Sequence, residues 1–153
     1  MSISRVFRAR RGHKATRRDR GSAAIETAVA VPAFMLFVGL IIAGGRLAAA
    51  HQAVQSAATE AARTASIART AAVASPQAAA AASRSLTEQN VQCVRSTVSV
   101  DVSQFSVPVG QPARTSATVT CAVDLSTLLP FLTGSRDVAA TMSSPIDTYR
   151  QRT

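Results

Sequence analysis

The chain has 153 residues, so a membrane segment leaves room for one small domain and no second one. With no Trp and only 4% aromatic residues, an aromatic core is excluded and any core rests on Ala, Val, Leu and Ile. The net charge of +9 does not describe the whole chain, because it is concentrated at one end.

Eight of the 17 basic residues (Arg5, Arg8, Arg10, Arg11, Lys14, Arg17, Arg18 and Arg20) lie in the first 20 positions, against the single acid Asp19. Nine basic and seven acidic residues remain from Ser22 onward, a nearly neutral body. Nucleic-acid binding needs basic residues spread over a folded face, with aromatics or a known motif, and neither is present. A basic segment followed by an apolar run is instead a topology signal, since Lys and Arg stay cytoplasmic. Residues 1–20 show no hydrophobic periodicity and are predicted to be unstructured.

The 19 residues from Thr27 to Gly45 are uncharged and include Phe34, Met35, Leu36, Phe37, Val38, Leu40, Ile41 and Ile42. As a helix they span about 28 Å, close to the roughly 30 Å hydrocarbon core of a bilayer. The apolar region of a secretory signal is usually only about 7–15 residues. The stretch therefore predicts a membrane helix, with Arg46 reaching the far interface. Pro32 removes one backbone bond within it and predicts a kink.

Helical spacing continues through Leu47, Val54, Ala58, Ala61, Ala65, Ala68 and Ala72, predicting a helix unbroken from Thr27 to Ala74. Its alanine face lets another backbone approach closely. Ser75-Pro76 is expected to end it, with a second helix over Gln77–Leu86. Beyond Gln89-Asn90 the period changes to two. Val98, Val100 and Val102 share one face of a first strand, and residues 104–116 read as a loop. Ala117, Val119, Cys121, Val123 and Leu125 share a face of a second strand. Leu128–Leu132 reads as an apolar loop, and Val138–Met142 as a third, shorter strand.

Cys93 and Cys121 lie 28 residues apart with no histidine near either, so a zinc site lacks ligands. In an oxidising compartment a disulfide is the natural reading, stabilising a small domain by about 3–4 kcal/mol. The alternative is two buried thiols packed as small apolar groups. Cys93 has the opposite parity to the Val98 series, so it must lie before that strand or beyond a bulge.

No hydrolase, phosphate-loop, zinc-protease or dinucleotide motif occurs, and the acids are scattered singly. His13 and His51 are far apart in the chain. The expectation is a non-enzyme without cofactor or metal, more a substrate of chemistry than a catalyst. Glu26 most needs explaining. A carboxylate deep in a membrane helix costs about 2.5–3.5 kcal/mol, less near the interface. Glu26 can simply sit at headgroup level and complement the first helical turn. Alternatively, cleavage after Gly21 creates an ammonium on Ser22, one turn from Glu26, where the two can pair within or between subunits.

The stretch Arg20-Gly21-Ser22-Ala23-Ala24-Ile25-Glu26, the apolar run with Pro32, and Ala61-Ala62-Arg63 resemble TadE-like pseudopilins of the tight-adherence (Flp, type IVc) pilus systems. The resemblance covers about residues 17–75. It implies cleavage by a membrane-embedded aspartyl prepilin peptidase, with Gly21 the last leader residue, Ser22 the mature N-terminus and Glu26 the fifth mature residue. Many pilins of this group have Tyr or Phe after the glutamate, where Thr27 stands here. Major filament subunits are also much shorter and lack a β domain, so the resemblance implies a minor or accessory pseudopilin.

The expected fold is α+β and pilin-like, a long transmembrane and spine helix followed by a small antiparallel β domain. The expected organisation is a basic leader at 1–21, a transmembrane helix at 22–46, an Ala-rich helical region at 47–90 and a β-rich domain at 91–153. By the resemblance, the partners are the prepilin peptidase, other pilin or pseudopilin subunits along the N-terminal helix, inner-membrane pilus assembly proteins and the lipid bilayer, with no nucleic acid. The N-terminus would be cytoplasmic and the C-terminal domain extracytoplasmic on a single-pass chain. Two other readings stay open. Ala48-Ala49-Ala50 before His51 fits signal-peptidase release of a secreted domain. The chain can also be an uncleaved single-pass anchor.

Overall fold

The computed structural model describes residues 19–127 and 133–149. The fold is α+β. A long helix α1 (Asp19–Ile67) is followed by α2 (Ala71–Glu88) and by the strands β1 (Cys93–Asp101), β2 (Ala113–Asp124) and β3 (Ser135–Ile146). Short 3-10 helices at Ser103–Ser106 and Leu125–Thr127 join the strands. The chain divides into two compact units, one up to Val38 and the other from Gly39 onward.

Asp19 and Arg20 are helical, which corrects the expectation that residues 1–20 are unstructured. Once a helix is nucleated in the apolar run, each flanking residue adds one bond for one fixed residue, so the helix spreads into the polar border. Residues 1–18 lie outside the described residues. Pro32 sits inside α1, which runs through it without ending.

The helix does not continue to Ala74 as the periodicity predicts. It stops at Ile67, and Thr70 starts a second helix. Thr70 is extended (φ −135°, ψ 153°), and its hydroxyl accepts the Val73 N–H at 3.3 Å as an N-cap, sharing that donor with the Thr70 carbonyl at 3.2 Å. Pro76, expected to mark the boundary, falls inside α2 instead. Ala72, assigned to the buried face of one long helix, is exposed as a result. The carboxyl end of α2 closes with Asn90 in the left-handed region at φ 55°. The Asn90 N–H donates to the Thr87 carbonyl at 3.0 Å and the Val91 N–H to Leu86 at 3.0 Å, the two bonds of a Schellman closure.

From Gly39 onward the core is built mostly from methyl groups. Val54, Ala57, Ala58, Ala61 and Ala65 of α1 are fully buried, as are Ala74, Ala78 and Ala82 of α2. They form one cluster with Ala117, Val119 and Cys121 of β2, Val138 of β3 and Phe105 from the 3-10 helix after β1. Each alanine brings little apolar area, but side chains this small let backbones pack close, so many of them sum to a core. Ser66, also buried, donates to the Arg63 carbonyl at 2.8 Å and accepts from Ser144 at 3.0 Å, tying the end of α1 to β3.

The sheet is antiparallel with β2 central, in the order β1-β2-β3. Val98 and Val100 are half-buried, and Ala117, Val119, Cys121 and Val123 are buried, as the period of two predicts. Cys93 does lie beyond a register shift, between Cys93 and Arg95. The predicted loop at 104–116 is shorter than expected, since β2 begins at Ala113. Gln104 closes it by accepting the Arg114 N–H at 2.7 Å. Leu125 leaves the strand for the second 3-10 helix. β3 extends well past the predicted Val138–Met142 and carries Pro145 opposite Arg114. On an edge strand a missing N–H can face solvent, so Pro145 is tolerated there. The predicted apolar loop at Leu128–Leu132 lies outside the described residues.

The middle of the outward face of the sheet is rich in hydroxyls. Thr97 and Ser99 of β1 face Thr120 and Thr118 of β2, which in turn face Ala139 and Thr141 of β3. The Thr118 and Thr141 hydroxyls are 2.8 Å apart and hydrogen-bonded. Above them Arg95 reaches across β2 to Asp137 at 3.9 Å, an exposed pair that contributes little.

Candidate functional site

The residues expected to be processed lie on one helix. Gly21, Ser22 and Glu26 all belong to α1, and Glu26 follows Ser22 by four residues. Four residues are about one turn, roughly 6 Å along the axis, so the two positions share a helix face. Glu26 is exposed.

What surrounds Glu26 is apolar and uncovered. Ile25 is 70% exposed and Phe34 62%, and Val29, Met35, Leu36, Phe37, Leu40, Ile41 and Ile42 are exposed as well. These residues point in all directions around the helix rather than along one stripe. A helix that is apolar all round is normally buried, in a core or in a membrane. Within Ile25–Ile67 the most apolar stretch is long and apolar enough to cross a bilayer, and none of it is buried by the chain itself. Such a surface in water would be an association or aggregation site far larger than soluble monomers expose.

The alanine-faced part of α1 behaves differently. Exposure gives way to burial at Ala50, and the helix then packs into the core of the second unit. One element thus has two chemically distinct stretches: a bare apolar one carrying Glu26, and a methyl-faced one committed to its own domain.

Cys93 and Cys121 are joined in a disulfide, with Cα atoms 5.3 Å apart and a sequence separation of 28. The bulge after Cys93 lets it reach Cys121 despite its opposite parity. The bond staples the start of β1 to the centre of β2, just after α2 ends.

Some positions that shape this unit carried no clear signal in the sequence. Thr70 is one of many threonines, and only the helix break reveals it as a cap. Asn90 stands where glycine is usual, and its left-handed backbone could have been suspected only from its place after a polar helix end. Among the described residues no group of three or more His, Cys, Asp or Glu is placed to hold a metal.

Residues 21–63 match the family described as TadE-like proteins. The match begins at the expected cleavage glycine and runs through the apolar stretch to Ala61-Ala62-Arg63, bearing out the resemblance over those residues. No curated protein and no solved structure matches the chain.

Proposed function

We propose that this chain, TadE-like over residues 21–63, is a minor pilin or pseudopilin of a Tad-type pilus or related secretion filament. It is inserted with its basic leader in the cytoplasm, cut after Gly21 by a prepilin peptidase, and associated with other subunits along α1. The observation that carries this reading is Glu26. It is a lone carboxylate at the start of an uncovered apolar helix, one turn from the residue that cleavage would turn into an ammonium. In a low-dielectric setting that pair gains far more than in water, which gives both the glycine and the glutamate a purpose.

The chain enters this scheme as a substrate and a structural part, not as an enzyme. Its partners are the peptidase, neighbouring subunits and the assembly proteins of the inner membrane. Release by signal peptidase after Ala50 fits less well. Ala48, Ala49 and Ala50 lie within the continuous helix α1, and Ala50 is buried in the core cluster.

The test is the N-terminal residue of the native, membrane-extracted protein, by intact mass and terminal sequencing. Ser22 is the expected result, and Gly21→Ala should accumulate the longer precursor. His51 at the terminus, or an intact leader, sinks the proposal. Glu26→Ala should leave cleavage largely intact while impairing association with other subunits.

A further inference from the structure

Where α1 passes from its bare stretch into the core, the outer unit has a recess of about 380 Å³. Its polar lining is Arg46 from α1 with Gln89, Asn90 and Gln92 from the end of α2 and the turn into β1; Ala50 and Val123 supply apolar wall. No carboxylate lines it. The volume falls within the range of about 300–1,000 Å³ usual for small-molecule sites.

We propose that this recess binds the headgroup of a zwitterionic amino-phospholipid, its phosphate on Arg46 and its primary ammonium on the carboxyl end of α2. The proposal rests on the reading of α1 as a membrane span. Arg46 is the first charge after the uncharged run 27–45, whose rise of about 28 Å matches a hydrocarbon core. Arg46 then stands at a phosphate level of the bilayer, and the end of α2 lies beside it.

The two ends of the recess have opposite electrostatics. A guanidinium binds phosphate through two parallel N–H bonds, and its five donors let it do so alongside a partner within the chain. The carboxyl end of α2 is the negative end of a helix dipole, and no basic residue lies in its last turn to complement it. The Gln89 amide nitrogen donates to the Ser85 carbonyl and hydroxyl, each at 3.1 Å, leaving the amide oxygen as its acceptor. Asn90 keeps a side-chain amide at a backbone position where glycine is the easier choice. An anion alone would meet the helix end unfavourably, and a cation alone would meet Arg46. A headgroup with both charges satisfies both.

The full chain is reconstituted into vesicles of phosphatidylcholine alone, or mixed equally with phosphatidylethanolamine or phosphatidylglycerol. Flotation reports insertion, and native mass spectrometry after mild extraction counts retained lipid. Phosphatidylethanolamine should be retained about tenfold over the other two, the scale of one charge-assisted hydrogen bond. Phosphatidylglycerol lacks the ammonium, and the choline ammonium has no N–H to donate. Arg46→Gln should lower retention about tenfold by the same measure. Asn90→Gly, which keeps the helix closure intact, should lower it by a smaller factor. Equal retention of the three lipids, preference for phosphatidylglycerol, or indifference to Arg46→Gln overturns the site while leaving membrane insertion standing. Failure to float overturns both the site and the membrane reading beneath it.

Discussion

Reducing the Cys93–Cys121 bond should cost the second unit a large part of its stability, and the size follows from the loop it closes. With a sequence separation of 28 between the cysteines, the chain-entropy relation gives about 3.5 kcal/mol at 25 °C. Little should be added by repacking, because Cys121 is fully buried and a thiol there remains a small apolar group. Domains of this size have net stabilities of only about 5–15 kcal/mol, and a core of alanines, each burying little apolar area, belongs toward the low end. Pulse proteolysis of the full chain in micelles, across a urea series, reads the population of the opened domain. Adding dithiothreitol should move the midpoint to lower urea. The double variant Cys93→Ala/Cys121→Ala should move it as far, and dithiothreitol should then do nothing more. A midpoint unchanged by reduction would refute the reasoning, because the staple would then close a loop already held by the sheet.

Three further outcomes follow from the same structure. Ala61→Leu, at a fully buried position on α1, should destabilise the second unit by roughly 1–3 kcal/mol through overpacking, read from the same urea midpoint. Thr70→Ala should cost about 1 kcal/mol and speed amide exchange at Val73 and Ala74, where the cap is lost; unaltered exchange there would exclude the capping role. Asp101 accepts the Ser103 N–H at 2.9 Å, and this bond holds its carboxyl below the ordinary carboxylate value. A lowered folded pKa means the contribution is present above the unfolded value and fades as pH falls toward the folded one. Titration by NMR should show the Asp101 carboxyl and the Ser103 amide moving together below about pH 3.9, and a titration at or above that point contradicts the bond.

The parts of this fold that were legible in the sequence are those where one period holds over several residues. Ala117, Val119, Cys121 and Val123 alternate cleanly because β2 is central and buried on one face. The parity of Cys93 placed it either before the strand or beyond a bulge, and the register shows the second. The helix break was misplaced for a physical reason. Pro76 is strong punctuation, yet α2 accommodates it, while the real break at Ala68–Thr70 contains neither Gly nor Pro. In an alanine-rich run, propensity is nearly flat and a single capping hydroxyl decides where one helix ends and the next begins. β3 runs past the predicted Val138–Met142 to take in Arg136-Asp137 and Ser143-Ser144-Pro145, which carry no apolar alternation. An edge strand accepts such residues, since only one side of its backbone must pair. The recess at Arg46 was not legible in the sequence. Gln89, Asn90 and Gln92 are distant in sequence from Arg46, and only the folding of α2 beside α1 brings them to it.

The methyl-built core also sets how the second unit responds to sequence drift. In most domains the dangerous substitutions hollow out the interior, because large side chains can be trimmed. Here the buried helical positions already hold the smallest side chain that still has a Cβ, so trimming leads only to glycine. Nearly every other replacement must enlarge. A saturation scan of Ala57, Ala58, Ala61, Ala74, Ala78 and Ala82 should therefore show a one-sided profile, with Ser and Gly the mildest changes and damage rising with side-chain volume.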